Sequence, residues 1–184
     1  MGKQEVGLAT EQRPGTARHE AGRSCVTYEE IVEIMNNDPV VQKLLRAPIP
    51  ARIAYVARDG SPRVVPVSYL WNGAGFVFAS PPDWPKITAL SANPRVALTV
   101  DTTDFPPYIL LARGVATIAF DTGLPDEYIE ASRRIVGEDR MAEWEAGVRA
   151  EDRNMALVTI TPTWIKVIDF ETRFPGPGGQ PTES

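Results

Sequence analysis

The spacing of apolar residues changes from helical to strand-like near residue 51. Before that point, Thr27 is followed three residues later by Glu30, which is the pattern of a capping box, and apolar residues then recur at helical spacing. Asp38 and Pro39 form a second helix start, because aspartate is a favoured N-cap and proline a favoured first helical residue. The segment 27–46 therefore predicts two consecutive helices.

From residue 51 onward, apolar and polar residues alternate, which is typical of half-buried β-strands. Three strands are predicted, at about 52–58, 63–71 and 75–80. The dipeptides Asp59-Gly60 and Asn72-Gly73 separate them, and both favour the tight turns of β-hairpins. The three strands are therefore expected to run antiparallel.

Two residues mark irregular points in the predicted strands. Pro66 has no backbone N–H, so its position is expected at a sheet edge, at a bulge, or facing something other than a strand. Gly114 lies within a long fifth strand, where a glycine indicates a bend or a bulge.

The rest of the chain predicts a few more elements. A short helix is expected over 84–91, a fourth strand over 95–101 and the fifth strand over 108–120. A helical insertion follows at about 124–152, divided by Gly137 into two helices. The last strand region is "MALVTITPTWIKVIDF".

This order of elements predicts a mainly β (α+β) fold. Six strands joined by short turns most naturally close into a small antiparallel barrel, which removes exposed edges. A doubly wound parallel sheet would need a helix after nearly every strand. We expect a disordered tail over 1–24, one domain over 25–172 that contains the insertion, and a flexible Pro/Gly-rich tail over 173–184.

Composition and charge narrow the functional classes. The net charge of −5, with no dense cluster of basic residues, argues against a nucleic-acid partner. No apolar run is long enough for a membrane span, and the N-terminus lacks the apolar core of a secretion signal. Cys25 is the single cysteine, which excludes an internal disulfide and favours a cytoplasmic protein. His19 is the single histidine, which argues against a zinc site and against histidine-dependent catalysis.

Short catalytic motifs are missing from the chain. It contains none of the glycine-rich nucleotide-binding motifs and none of the common hydrolase motifs. No catalytic side chain is therefore predicted, and the chemistry of an enzyme would come from a bound cofactor.

The stretch "FVFASPPDWPKITAL" has the composition of a phosphate site. Asp83 is predicted to cap a helix that starts at Trp84, with Pro85 in its first turn. The hydroxyl of Ser80, the N–H groups of that helix start and the ammonium of Lys86 would then converge on one anion. The alternative is a solvated lysine in a first helical turn, because exposed lysines are common.

Arg52 is a second candidate for anion binding. By alternation it shares a strand face with Ala54 and not with Ile53. If the first and third strands are close, Arg52 would reach the anion bound by Lys86; the alternative is an edge arginine in solvent. Three aromatic residues offer surface for a flat ring, with core or interface packing as the alternative: Tyr69, Trp84 and Trp164.

Taken in order, several segments resemble the pyridoxamine 5'-phosphate oxidase-like split-barrel family of flavin-binding proteins, and within it an actinobacterial flavin/deazaflavin-dependent oxidoreductase branch. The matching pieces, within about residues 27–172, are "RIAYVARDGSPRVVPV", "FVFAS", the lysine of "DWPK", "NPRVALTVD", "RGVA" and "TPTWIKVIDFET". The resemblance implies a six-stranded antiparallel split β-barrel with flanking helices. It also implies a homodimer with a cofactor in a cleft at each end of the interface.

The same resemblance implies a cofactor site. Arg52, Ser80 and Lys86 would hold the cofactor phosphate. The backbone that would line the flavin ring belongs to Ile53, Ala54, Pro66, Val67 and Ala79, and Trp164 would lie near the ring. Trp84 and Pro85 complete the predicted set.

The sequence departs from true pyridoxamine phosphate oxidases at two points. Those enzymes typically have an Arg-Lys pair where this chain has Pro85-Lys86, and they carry an arginine-rich C-terminal substrate segment where this chain has "FETRFPGPGGQPTES". These departures argue against vitamin B6 oxidation. The predicted function is hydride transfer between FMN, or alternatively the deazaflavin coenzyme F-420, and a small organic substrate. The alternative is a non-enzymatic storage protein for a flavin or another planar ligand on the same barrel.

Overall fold

The computed structural model describes residues 26–120, 123–151 and 153–173. The predicted tail over 1–24 lies outside the described residues, as do 174–184 of the predicted C-terminal tail and the residues His19 and Cys25. No helix in the described part is both long enough and apolar enough to cross a membrane.

Helices and strands follow each other much as the periodicity predicts. The helices are α1 (Tyr28–Asn37), α2 (Pro39–Arg46), α3 (Pro85–Ala92), α4 (Asp126–Val136) and α5 (Glu138–Ala150). The strands are β1 (Ala51–Val56), β2 (Pro62–Val67), β3 (Leu70–Trp71), β4 (Phe76–Ser80), β5 (Arg95–Asp101), β6 (Tyr108–Ala119) and β7 (Ala156–Asp169).

The strands form one antiparallel sheet in the order β2-β1-β5-β6-β7-β4-β3, which curls into a half-barrel. The antiparallel barrel prediction is confirmed, with seven strands in the described residues instead of six. The additional strand arises because the predicted strand 63–71 is divided. Val67 ends β2, which pairs with β1, and Leu70 begins β3, which pairs with β4.

The predicted caps of the first two helices are confirmed. The Thr27 hydroxyl accepts a hydrogen bond from the Glu30 N–H at 3.2 Å, while the Glu30 carboxylate accepts one from the Thr27 N–H at 2.7 Å. One carboxylate oxygen of Asp38 accepts from the N–H groups of Val40 and Val41 at the start of α2. These caps satisfy amide groups that a helix start otherwise leaves without partners.

The predicted cap of α3 is wrong. The helix begins at Pro85, so Trp84 is its N-cap, and no side chain caps it. The proline explains this difference, because it excludes the residue before it from the helical region. Trp84 accordingly has φ −70° and ψ 142°, and Asp83 is one residue too early to act as the cap.

The turns and the irregular strand positions are as expected. Gly60 and Gly73 have φ of 81° and 91°, the left-handed values that hairpin turns need. Pro66 lies in β2, which is an edge strand of the sheet. At Gly114 the register between β6 and β7 shifts, and a Cβ there would lie 2.4 Å from the Thr161 carbonyl oxygen.

The concave face of the sheet and helices α1, α2 and α3 enclose the core. Strand β1 shows the alternation clearly: Ile53 and Tyr55 are buried, while Arg52 and Val56 point to the outer face. Helix α4 packs against β4 and β3. The outer face and the packing of α4 determine where a ligand can bind.

Candidate functional site

A cavity of about 360 Å³ lies where the ends of β2 and β4 meet α3, α4 and α5. Its size falls in the range of about 300 to 1,000 Å³ that is usual for small-molecule sites. Six members of the predicted cofactor set line it together: Pro66, Val67, Ala79, Ser80, Trp84 and Lys86.

Lys86 is a buried cation in this cavity. The residue is 8% exposed, and no carboxylate of the described chain lies within ion-pair distance of its ammonium. Its Nζ lies 4.2 Å from the centroid of the Trp84 ring. Burial lowers the pKa of Lys86, because a charged ammonium loses solvation there. An anion in the cavity would restore the missing electrostatic partner.

Ser80 brings a second polar group without a partner to the same place. The residue is 2% exposed, and its Oγ has no hydrogen-bond partner among the residues described. Buried hydroxyl groups usually have one. Pairing of Ser80 with Ala156 of β7 fixes the backbone at this position. The hydroxyl is therefore held in place for a ligand atom.

The start of α3 adds a favourable field for an anion. Its first turn carries no acidic residue and no side-chain cap. The N-terminal end of a helix bears a partial positive charge. Lys86 is the second residue of this helix, so its ammonium and the helix end act in the same direction.

Helix α4 forms the opposite wall, which the sequence did not identify as part of a site. Tyr128, Ser132, Ile135 and Val136 face the cavity from one side of that helix. Trp144 of α5 completes the wall, and its ring centroid lies 5.6 Å from that of Tyr128. Helical spacing had marked the apolar members of this set, but spacing alone does not show which surface a helix covers.

Arg52 lies apart from this cavity. Its guanidinium donates to Asp101 at 2.7 Å, and the two residues border a separate depression beside Phe105. The structure therefore does not bring Arg52 and Lys86 to one cavity within the chain.

The remaining predicted residues also lie outside the cavity. Trp164 is on the outer face, where the guanidinium carbon of Arg113 lies 4.1 Å from its ring centroid. Ile53 is 1% exposed in the core, Ala54 is half-buried on the outer face, and Pro85 is exposed at the start of α3. The predicted set thus divides between the cavity, the outer face and the core.

Comparison with known proteins identifies one family over most of the chain. The sequence model of the family described as pyridoxamine 5'-phosphate oxidase matches residues 38–169, well over half of the 184 residues. This range contains all seven strands of the described residues and the whole lining of the cavity. No curated protein matches the chain.

Solved structures include several with a similar fold. An F420 reductase is 26% identical, with a TM-score of 0.53 over 68% of this chain and 94% of that chain. A conserved hypothetical protein from Mycobacterium tuberculosis is 16% identical, with a TM-score of 0.53 over 95% of this chain and 98% of that one. A haem storage protein from Vibrio cholerae is 15% identical, with a TM-score of 0.54 over 71% and 93%. The last two similarities concern the fold alone.

Proposed function

The chain belongs to the pyridoxamine 5'-phosphate oxidase family, and on that premise we propose that it is an oxidoreductase that binds FMN, or a deazaflavin coenzyme in its place. One observation carries the proposal. The Lys86 ammonium has no carboxylate partner, the Ser80 hydroxyl has no hydrogen-bond partner, and both residues are buried at one cavity of the described chain.

A cofactor phosphate fits these two groups chemically. A phosphate offers several strong acceptor oxygens and a negative charge, which match a hydroxyl donor and an ammonium. Leaving both groups buried without partners costs free energy in the ligand-free protein. Phosphate binding would remove that cost, so the cavity is suited to a charged ligand.

The residues of the chain would bind and orient the cofactor, while the flavin or deazaflavin ring would supply the hydride chemistry when bound. Lys86, Ser80 and the start of α3 would hold the phosphate. The ends of β2 and β4, at Pro66 and Ala79, would lie beside the rest of the cofactor. Tyr128 and Trp144 would exclude water from the opposite side.

The F420 reductase, which is 26% identical to this chain, supports the deazaflavin form of this proposal. The family description supports a flavin. The two cofactors share a phosphate and a flat ring system, so the proposed contacts of Lys86 and Ser80 apply to both.

The visible spectrum of freshly purified protein, followed by mass spectrometry of any released ligand, tests the proposal first. Bound FMN or deazaflavin is the expected result, or binding of at least one of them when both are titrated into the purified protein. Failure of both to bind with a Kd below about 1 mM, equivalent to about −4 kcal/mol, would reject the proposal. Stopped-flow reoxidation with candidate acceptors then separates turnover from storage.

We further propose that a second copy of the chain covers the outer face of the sheet. Val56, Val64 and Val115 on this face are 43%, 64% and 41% exposed. Arg52 and Trp164 lie on the same face, and both belong to the predicted cofactor set. A homodimer would bury the valines and bring these two residues close to a cofactor at the interface, which agrees with the arrangement implied by the family resemblance.

A further inference from the structure

A third polar group faces the cavity from the helical insertion. Ser132 of α4 is 4% exposed and lines the cavity opposite the residues of β4 and α3. Its hydroxyl makes no hydrogen bond with any residue that the structure describes. A serine inside a helix commonly bonds back to its own helix, as Ser91 does to the Ile87 carbonyl at 2.9 Å. Ser132 does not, so its hydroxyl remains available to a ligand.

The position of Ser132 on its helix agrees with this reading. Tyr128 and Ser132 are four residues apart, and Val136 follows after four more, so all three lie on one side of α4. That side faces the cavity. Tyr128 and Val136 present carbon surface there, and Ser132 places a hydroxyl between them.

We propose that Ser132 is a third donor to the anionic group of the bound ligand, so that the helical insertion is part of the anion site. The inference rests on the proposed function, because the ligand is a phosphate-bearing cofactor. Ser80 and Lys86 would hold the phosphate from the side of the sheet and α3, and Ser132 from the side of α4. A phosphate has enough acceptor oxygens for all three donors.

The three groups together place buried polar side chains on both sides of the cavity. Ser80, Lys86 and Ser132 are 2%, 8% and 4% exposed. Among the described residues, the Ser80 hydroxyl has no hydrogen-bond partner and the Lys86 ammonium has no carboxylate partner. A ligand without acceptor atoms would leave all three without partners, which is unfavourable. A charged group with several acceptor oxygens, such as the phosphate of the proposed cofactor, would satisfy all three donors.

The test compares Ser132→Ala with the wild-type protein, using cofactors with and without the phosphate. We expect the Kd for FMN to rise about tenfold, since a hydrogen bond to a charged group is lost. The Kd for riboflavin, which has the same ring without the phosphate, should not change. The deazaflavin coenzyme and its dephosphorylated core form the second matched pair. Thermal unfolding of the ligand-free variant should be unchanged or occur at higher temperature, because the lost hydroxyl has no partner.

Ser91→Ala is the matched control, since its hydroxyl bonds only within α3 and the residue is exposed. It should leave all these constants unchanged. An unchanged Kd for the phosphate-bearing cofactors in Ser132→Ala would overturn the role of Ser132. An equal loss of affinity for both members of each pair would overturn it as well.

If the wild type binds no cofactor, the proposed function fails. Binding of inorganic phosphate, observed by ³¹P NMR, then tests the anion site alone. If Ser132→Ala broadens the phosphate line as much as the wild type does, the inference is overturned.

Discussion

The ammonium of Lys86 lies 4.2 Å from the ring centroid of Trp84, on a lysine that is 8% exposed. Trp84 precedes Pro85 in an extended conformation, and its ring lies beside the ammonium of Lys86 in the first turn of α3. A cation over an aromatic face gains about 0.5 to 2 kcal/mol. Burial acts in the opposite direction, because it removes solvation from the ammonium and so lowers the pKa of Lys86.

Replacing Lys86 by methionine should have opposite effects on binding and on stability. The variant removes the ammonium proposed to hold the phosphate, so the binding free energy for FMN should weaken by about 1 to 3 kcal/mol. It also removes a buried charge without a carboxylate partner, so the free energy of unfolding of the ligand-free protein should stay the same or increase. Isothermal titration calorimetry and urea unfolding measure the two effects.

Lys43→Met is the control, because Lys43 is exposed and its ammonium lies over the Tyr108 ring, away from the cavity. It should leave cofactor affinity unchanged. If Lys86→Met binds FMN as tightly as the wild type does, the phosphate lies elsewhere.

Cofactor affinity should fall as the pH rises. Phosphate binding needs the protonated Lys86 ammonium, and burial lowers the pKa of this group in the ligand-free protein. The ammonium therefore deprotonates at a lower pH than an exposed lysine would. The Kd for FMN, measured by fluorescence quenching from about pH 7 to about pH 10, should increase once the pH passes this lowered pKa. The same titration with Lys86→Met should be nearly flat; a wild-type curve equally flat would contradict the role of Lys86.

The lowered pKa of Lys86 also predicts the direction in which the unfolding free energy changes with pH. Between the lowered pKa of folded Lys86 and the ordinary pKa of a lysine in the unfolded chain, the unfolded state binds more protons. The Lys86 contribution to the unfolding free energy of the ligand-free protein should therefore increase with pH across this interval. Subtracting the curve for Lys86→Met isolates that contribution, and a decrease with pH would contradict it.

A charge on the outer face of the sheet should prevent the proposed dimer. Val64 is 64% exposed on β2, and a glutamate there would bury a charge in an apolar contact. Val64→Glu is expected to sediment as a monomer at concentrations where the wild type is a dimer. Val26→Glu, at a valine that is 43% exposed just before α1, should remain dimeric. A monomeric wild type would reject the second copy as the occupant of this face.

Gly114 should tolerate no side chain. A Cβ at this position would lie 2.4 Å from the Thr161 carbonyl oxygen and 2.8 Å from Cγ2 of Ile160. Gly114→Ala is therefore expected to lower the free energy of unfolding by about 1 to 3 kcal/mol, as overpacking usually does. Gly147→Ala in α5 is the control, since a Cβ at that position would meet no neighbouring atom within 4 Å outside its own helix. Urea unfolding should show it to be stabilised by about 0.5 to 1 kcal/mol; equal effects of the two changes would contradict the close contact.

Local chemistry in the sequence predicted much of the fold. The caps at Thr27 and Asp38 and the hairpin turns at Gly60 and Gly73 depend on residues within a few positions of one another. The break between β2 and β3 was missed because "VSYL" continues an apolar alternation. Only long-range pairing shows that Val67 belongs with β1 and Leu70 with β4.

The candidate site was predictable in part. Ser80 and Lys86 are six residues apart, and a strand end followed by a helix start brings them to one place. Ser132 and Trp144 reach the same cavity through the packing of α4 on β4 and of α5 on α4, which no local pattern determines. Arg52 shows the opposite case, since its strand face was correct but its partner in the chain is Asp101.

The most direct test of the account is the difference in affinity between phosphate-bearing and phosphate-free cofactors for the wild-type protein. Calorimetric titration with FMN and riboflavin, and with the deazaflavin coenzyme and its dephosphorylated core, gives that difference for each ring system. We expect at least one phosphate-bearing cofactor to bind tenfold or more tightly than its phosphate-free counterpart, equivalent to at least about 1.4 kcal/mol. Equal affinities within both pairs would show that the buried Lys86 and Ser80 do not hold a phosphate.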